Sequence, residues 1–311
     1  MSQGKNRDED GRCWLRACSL VVGDDTGQGL ELSALRVTFN TKKGDVETPN
    51  SAEINVYNLS EETASRIQRE FTQVVLSAGY EGNVGLIFRG NIRQVRTWRE
   101  NGVDTVLAIL AADGDRAYNF ATVNTTLAAG SKPEDRVKVC QGAMTAKGTG
   151  AGHTPSLGGQ PLPRGKVMYG MARAYMRDEA RVTDTDWSIQ DGKMQMVPRR
   201  GYLPGEAVLL THETGLVGTP EQTQEGVNVR ALLNPLLRVG GRIRLDNKSV
   251  KAMQSPLKAA AGQRPARLDD DGVYRILKVE FVGDTRGNDW YADMLCIGID
   301  DTSKIPLDQV R

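Results

Sequence analysis

The stretch that decides the fold runs from Val84 to Ala112 and has the pattern of a strand followed by a long β-hairpin. It reads Val84-Gly85-Leu86-Ile87-Phe88-Arg89-Gly90, then Asn91-Ile92-Arg93-Gln94-Val95-Arg96-Thr97-Trp98, then a turn at Glu100-Asn101-Gly102 and a closing run from Val103 to Ala112. Asn-Gly between β-rich runs is a strong hairpin signal, because a type I′ turn needs positive φ at both central residues. Apolar residues alternate along the closing run, as is typical of a strand with one buried face.

A similar stretch follows Gly272. It reads Gly272-Val273-Tyr274-Arg275-Ile276-Leu277-Lys278-Val279-Glu280-Phe281-Val282, followed by a polar turn and a run from Trp290 to Ile299. Ile92-Arg93-Gln94-Val95 aligns with Ile276-Leu277-Lys278-Val279, and Ile109-Leu110-Ala111-Ala112-Asp113 is similar in residue type to Ile297-Gly298-Ile299-Asp300-Asp301.

The residues before the two hairpins are also similar. Ile54-Asn55-Val56 resembles Val227-Asn228-Val229, and a further strand follows each of them, at Val74 to Tyr80 and at Arg242 to Leu245. The order strand, Asn-containing link, strand, long hairpin therefore occurs twice, which predicts an internal duplication. Two unrelated hairpins would show the same generic pattern and are the alternative interpretation.

Composition limits the class of protein. A length of 311 residues is typical of two domains, and 39% hydrophobic residues with a mean hydropathy of −0.43 predict modest cores and no membrane association. Lys and Arg number 40 against 39 Asp and Glu, which argues against a dedicated nucleic-acid binder. With 34 glycines and 5% aromatics, the chain has the composition of a turn-rich, mainly β protein.

The predicted domain organisation follows the change in texture along the chain. Residues 1–12 are polar and carry no signal-peptide pattern, so we expect a flexible tail. Residues 13–115 form the first β-barrel domain, in which Ser60 caps a short amphipathic helix. Residues 116–186 form a smaller mixed linking domain with helices at 133–140 and 167–176 and an exposed Gly-rich loop. Residues 187–311 contain a hairpin, with Asp191-Gly192 at its tip, and the second β-barrel domain, which is interrupted by a mobile loop at 248–271.

Motifs for catalysis are missing from the sequence. His153 and His212 form no HExxH or other paired-histidine spacing, and there is no GxSxG elbow. The Gly-rich run 148–152 follows no convincing strand, and Gly165-Lys166 precedes Val167 where a phosphate loop needs Ser or Thr, so a flexible loop is the better interpretation.

The remaining candidates are also better explained by structure. Asp113 with Asp115, and Asp269 to Asp271, lack the spacing of a calcium loop and are expected to be solvated turns. The four cysteines, Cys13, Cys18, Cys140 and Cys296, show no metal-binding spacing and are expected to be free thiols in a reducing compartment. Trp98 and Trp290 are expected to be packing residues. We therefore predict no catalytic residue, no metal site, no cofactor and no enzymatic activity.

The order of these pieces resembles the baseplate hub proteins of tailed bacteriophages and related contractile injection machines. The residues that carry the resemblance are Asn50 to Ser60, Phe88 to Ile92, Trp187 to Met196, Thr214 to Pro220, Gly226 to Pro235 and Gly272 to Cys296. The resemblance implies two tail-tube-like β-barrel domains in one chain. Three chains would then place six barrels in a ring that adapts a sixfold tail tube to a threefold spike.

The same resemblance implies the setting and the partners. The chain would be a structural virion protein of the tail baseplate, assembled in the host bacterial cytoplasm. Its partners would be itself as a homotrimer, the tail tube or distal tail protein and the central spike or tail-tip protein, with the tape measure protein as a further candidate; DNA would only pass through. The alternatives are a hexameric tail-tube or distal-tail protein and, in a different class, a β-domain glycan hydrolase.

Overall fold

The computed structural model describes residues 15–24, 27–246, 250 and 271–298. The first β unit consists of β1 (Arg16–Gly23), β2 (Gly29–Glu31), β3 (Val37–Gly44), β4 (Ser51–Tyr57), α1 (Glu61–Glu70), β5 (Gln73–Tyr80), β6 (Asn83–Glu100) and β7 (Asp104–Ala112). The linking segment consists of α2 (Asp115–Phe120), β8 (Thr122–Leu127), α3 (Pro133–Thr145), β9 (Gly150–Ala151), β10 (Lys166–Met171), α4 (Ala172–Val182), β11 (Thr185–Gln190) and β12 (Lys193–Pro198). The second β unit consists of β13 (Val208–Leu209), β14 (Leu216–Gln222), β15 (Val227–Leu232), β16 (Arg242–Arg244), β17 (Val273–Asp284) and β18 (Trp290–Gly298).

Local sequence accounts for the hairpins and for the first helix. Asn101 and Gly102 have φ of 50° and 73°, and Asp191 and Gly192 have φ of 54° and 77°, as type I′ turns require. Ser60 Oγ accepts a hydrogen bond from Thr63 N (3.2 Å) and thereby caps α1, which buries Ile67. The predicted hairpins and cap are confirmed.

The two β units have the same strand connectivity. In the first unit, β7 of the long hairpin pairs with β4, and β6 pairs with β5. In the second unit, β18 of the long hairpin pairs with β15, and β17 pairs with β16. A further strand lies outside the earlier one, β3 beside β4 and β14 beside β15. The units therefore share one topology, as the repeated order in the sequence predicts.

A β-bulge fixes how the two units align. In β6 the register shifts between Ile92 and Gln94, and in β17 it shifts between Ile276 and Lys278. The bulges make Ile92 equivalent to Ile276, which confirms the sequence alignment of these two residues. An extra residue increases local twist, so both long hairpins twist at the same point.

Two other sequence alignments are wrong in register. Ile54 is equivalent to Val229 rather than to Val227. Ile54 pairs with Ile109 and Val229 pairs with Met294, and both Ile109 and Met294 lie two residues before the residue that pairs with the last residue ahead of the bulge. Likewise, Ile109 is equivalent to Met294 and not to Ile297. The first error is a shift of two residues, which keeps every side chain on its face, so the alternation in the sequence does not detect it; the second is a shift of three residues.

The prediction of a mainly β protein with a mixed linking domain is confirmed, but the two units do not form separate closed barrels. Within the described ranges their strands belong to one 13-stranded sheet, in the order β14-β15-β18-β17-β3-β4-β7-β6-β5-β1-β2 with β13 and β16 attached through β17. One hydrophobic core accordingly contains residues of both units, including Phe39, Ile54, Trp290 and Phe281.

The linking segment has a second, smaller core. It contains Val137 and Cys140 of α3, Met176 of α4, and Trp187 and Met194 of the hairpin β11–β12. The sequence predicts that this hairpin belongs with the second β unit, whereas its side chains lie in the smaller core. The domain boundaries themselves stay a prediction.

Two local predictions in this segment are wrong. Residues 167–176 are not one helix: β10 runs to Met171, Gly170 has a φ of 146° that no helix permits, and α4 begins at Ala172. The Gly-rich run is not simply an exposed loop, because β9 pairs in parallel with β12 and Gly152 N donates to Met194 O (2.7 Å). The predicted tail 1–12 lies outside the described residues, as does the predicted loop 248–271 apart from residues 250 and 271.

Candidate assembly surface

The two units meet in a seam between β3 and β17, which pair antiparallel from Lys278 opposite Gly44 to Asp284 opposite Thr38. On the core side of the seam, the Phe39 ring lies edge-on to Trp290 with centroids 5.5 Å apart, and Gly283 leaves room for that ring. Trp290 Nε1 donates to Gly79 O (3.1 Å). The seam therefore joins the halves of the chain through both backbone pairing and a buried aromatic contact.

The opposite side of the seam is polar. Asn40 Nδ2 donates to Glu280 Oε1 (2.6 Å), and Lys42 Nζ lies 3.8 Å from the same carboxylate. At the far end of the seam Arg36 pairs with Asp284 (2.7 Å), and the hydrogen bond from the guanidinium lowers the pKa of Asp284 below its usual value.

This polar side continues as a concave surface over β14, β15, β18, β17 and β3. A cavity of about 830 Å³ lies over it. Charges of both signs line the cavity and include Lys42, Lys278, Arg230, Glu221, Glu280 and Asp293. Arg230 and Asp293 form an exposed ion pair (2.6 Å). The surface therefore presents balanced charge rather than a field of one sign.

A buried polar network attaches the tip of the hairpin β11–β12 to the first β unit. Asp191 N and Gly192 N donate to the two carboxylate oxygens of Asp113 (2.5 and 2.8 Å). Lys43 Nζ contacts both carboxylate oxygens of Asp191 (2.7 Å each) and donates to Ile87 O (3.2 Å). Buried polar groups need such partners, so the network specifies where the tip docks.

Asn50 completes the attachment. Its Oδ1 accepts from Gly44 N (2.9 Å), while its Nδ2 donates to Ile189 O (2.9 Å) and Gln190 Oε1 (2.9 Å). Gln190 Nε2 in turn donates to Gly44 O (2.8 Å). The side chains of Asn50 and Gln190 thus join the end of β3 and the β3–β4 loop to the hairpin.

Burial shifts the pKa of Asp113. The residue is 0% exposed, and loss of hydration raises its pKa to about 7, with Asp191 raising it further and the two backbone N–H groups and Lys43 opposing the rise. The carboxyl group therefore changes protonation near neutral pH while it holds the hairpin tip.

A second buried charge ties three parts of the chain together. Arg275 of β17 forms an ion pair with Asp45 of the β3–β4 loop and donates to the carbonyls of Pro198 (2.7 Å), Arg199 (3.0 Å) and Gly201 (3.2 Å). Burial lowers the pKa of Arg275 to about 10 and raises that of the neighbouring Asp186 to about 6.

The histidines weighed as catalytic or metal-binding candidates lie outside these buried networks. His212 is exposed, and His153 O accepts from Met196 N (2.7 Å) beside β12. No group of three His, Cys, Asp or Glu residues suited to a metal ion occurs in the described ranges. Cys18, Cys140 and Cys296 are free thiols, while Cys13 lies outside the described residues. No described helix is long and apolar enough to cross a membrane.

Two expectations about single residues need correction. Asp113 is not in a solvated turn, because the hairpin tip covers it. Asp115 is partly buried, and its Oδ1 lies 3.6 Å from Arg93 Nε. Asp269 and Asp270 lie outside the described residues. Trp290 packs as expected, whereas Trp98 is 43% exposed near the end of β6.

Sequence reasoning missed Lys43, Asp45 and Arg275. Each lies in a strand or just after one, where the sequence pattern predicts a solvent-exposed charge. Each is buried in the structure because a segment far away in the sequence covers it. The sequence contains no local pattern that distinguishes them from Lys42 or Arg230.

Comparison with solved structures identifies the class of fold. The 43 kDa tail protein of prophage MuSo2 from Shewanella oneidensis aligns with a TM-score of 0.58 at 7% identity, over 93% of this chain and 99% of that one. A tail protein from Neisseria meningitidis aligns with a TM-score of 0.54 at 10% identity, over 91% and 96%. An E. coli component of the type VI secretion system, described as similar to the T4 bacteriophage tail proteins gp27 and gp5, aligns with a TM-score of 0.51 at 11% identity, over 88% and 76%.

No protein-family model and no curated protein sequence matches the chain. The chain therefore has the fold of phage tail proteins, and the resemblance to baseplate hub proteins is confirmed at the level of the fold. The match to the E. coli component shows that a similar fold also occurs in a type VI secretion system protein.

Proposed function

We propose that the protein is a structural baseplate hub, a homotrimer that adapts a sixfold tail tube to a threefold central spike. The observation that carries the proposal is the seam: two units of one topology stand side by side in one sheet. A chain that supplies two equivalent units converts threefold into sixfold symmetry, since three copies present six units.

The concave polar surface supports a role as a channel wall. Charges of both signs are interspersed on it, so a passing polyanion would meet no extended field of either sign. We infer that DNA passes this surface without stable binding during ejection. The linking segment, held by Asp113 and Arg275, would keep a fixed position against the ring.

The proposed setting is the baseplate of a virion tail, after assembly in the host cytoplasm. The tail tube or distal tail protein would bind one side of the ring and the spike or tail-tip protein the other, with the tape measure protein as a further partner. No catalytic activity is assigned. A hexameric tube protein would need only one unit per chain, so the presence of two favours the trimer.

The test is the mass of the purified protein by light scattering, with class averages from electron microscopy of the same peak and co-sedimentation with assembled tail tubes. We expect a trimer with a ring of pseudo-sixfold appearance that binds tube ends. A hexameric ring would overturn the proposal in favour of a tube or distal-tail protein. Turnover of glycan or peptidoglycan substrates by a protein that binds no tube would favour the hydrolase.

A further inference from the structure

The hairpin tip and the first β unit bring an amine and a carboxyl group together in a buried place. In the described part of the chain, Lys43 is the one buried lysine, with 5% of its surface exposed. Its Nζ lies 2.7 Å from each carboxylate oxygen of Asp191. This position places Nζ within about 3.5 Å of the carboxyl carbon, the separation of groups about to react. We propose that Lys43 and Asp191 form an amide bond in the folded chain and release one water molecule.

The surroundings favour the neutral forms that react. The side chain of Lys43 is 3% exposed and that of Asp191 is 19% exposed. Burial penalises charged groups, so transfer of a proton from Nζ to the carboxylate, which leaves an amine beside an acid, costs less here than in water. Ile87 O accepts a hydrogen bond from Nζ (3.2 Å) and can keep that partner in the amide product.

The reaction needs no reagent from outside the chain. After the proton transfer, the Nζ lone pair attacks Cγ of Asp191, and a tetrahedral intermediate forms. The bond from Cγ to the protonated oxygen then breaks, and the departing hydroxyl takes a second proton from Nζ and leaves as water. An ammonium and a carboxylate thereby become one amide and one water with no change in net charge. The partly exposed side of Asp191 gives the water a way out.

Asp113 is a positioning residue for this reaction. Its carboxylate oxygens accept hydrogen bonds from Asp191 N (2.5 Å) and Gly192 N (2.8 Å), which fixes the backbone that carries the reacting carboxyl group. Well-oriented groups within one molecule react with effective concentrations of about 10⁵–10⁸ M. The fixed tip therefore supplies the proximity that a condensation in water needs.

Two other lysine ion pairs lack this combination of burial and geometry. Lys166 lies 3.3 Å from one oxygen of Glu179, and its side chain is 32% exposed. Arg136 contacts the same oxygen at 2.5 Å. Lys42 lies 3.8 Å from Glu280, and its side chain is 66% exposed. We expect both pairs to remain ionic, so they are internal controls.

The amide joins residues that lie 148 positions apart in the chain. It links the first β unit covalently to the hairpin β11–β12 at the network that specifies where the tip docks. A link across so long a loop restricts the unfolded chain and thereby stabilises the folded one. This inference goes beyond the proposed hub function and does not depend on it.

The mass of the intact, denatured protein tests the bond. We expect the purified protein to be lighter than its sequence by the mass of one water molecule, after allowance for removal of Met1. A tryptic digest should contain one linked species that joins residues 43–66 to residues 182–193, because trypsin does not cleave after an acylated lysine. A full mass after prolonged incubation of the folded protein overturns the proposal. Loss of water without the linked species, as in succinimide formation at Asp191-Gly192, also overturns it.

Variants give an independent readout. Lys43→Arg keeps the positive charge and should have the full mass and no linked species, whereas the matched control Lys42→Arg should remain linked. Asp113→Asn should lower the linked fraction in a protein whose circular dichroism is unchanged. A linked fraction equal to that of the parent would overturn the positioning role of Asp113. If Lys43→Arg does not fold, the mass and digest of the parent protein decide the matter alone.

Discussion

Replacement of Arg275 by Met should strongly destabilise the protein. The side chains of Arg275 and Asp45 are 2% and 0% exposed, so the variant leaves the Asp45 carboxylate buried without its cation. It also removes the donor to the carbonyls of Pro198, Arg199 and Gly201. Breaking one partner of a buried ion pair costs about 3–5 kcal/mol, a large part of the free energy of unfolding of a typical domain.

The assay is equilibrium unfolding in urea, followed by tryptophan fluorescence. The control is Arg230→Met, because the Arg230–Asp293 pair is 55% and 36% exposed and its loss should cost at most about 1 kcal/mol. Adding Asp45→Asn to Arg275→Met should recover part of the loss, since the buried charge is then absent. Equal effects of Arg275→Met and Arg230→Met would refute the reasoning.

Three further changes test other contacts. Asp113→Asn should flatten the pH dependence of stability. The folded-state pKa of Asp113, about 7, exceeds the usual 3.8, so the parent protein is more stable at low pH. Its free energy of unfolding should fall by up to about 1.4 kcal/mol per pH unit as pH rises from about 4 to 7. Gly283→Ala should cost about 1–3 kcal/mol, because its methyl group would collide with the Phe39 ring. Ser60→Ala should cost about 1 kcal/mol through loss of the helix cap.

Each change has a defined control. Urea titrations of Asp113→Asn and the parent protein at pH 5 and pH 8 should give different stability gaps; a constant gap would contradict the assignment. Phe39→Leu added to Gly283→Ala should relieve part of the strain, and strictly additive losses would argue against the collision. Ser60→Thr should retain the cap, so a similar loss in Ser60→Thr and Ser60→Ala would show that the hydroxyl is unimportant.

The sequence contains enough local information to predict the repeated hairpins, but not how the units join. Asn101-Gly102 and Asp191-Gly192 predict their turns because backbone strain at positive φ acts on single residues. The equivalence of Ile92 with Ile276 is also predictable, since the surrounding residue types are repeated. The pairing of β3 with β17 is not, because more than 200 residues separate the strands and no short pattern encodes that choice.

The buried polar contacts are less predictable from the sequence than the fold. Asp113 and Arg275 look like ordinary charged residues within strands or turns, and only the docking of the hairpin and of residues 198–201 makes them buried. The helix predicted at 167–176 fails for a related reason: Met168 and Met171 have helical spacing, but pairing of β10 with β8 competes with it. Tertiary contacts decide such cases.

The seam has a consequence for how the protein can change. A ring of identical single-unit subunits must use the same residues at every contact, so any substitution is repeated six times. In the proposed trimer the covalent link would make one contact internal, where Phe39 and Glu280 are fixed by folding, and would leave the equivalent positions on the outer strands free to differ. Arg96, which lies two residues after Gln94 as Glu280 lies two residues after Lys278, takes the place of that carboxylate. A chain with two separately encoded versions of this contact could then change the residues that stabilise its fold independently of those that join its copies.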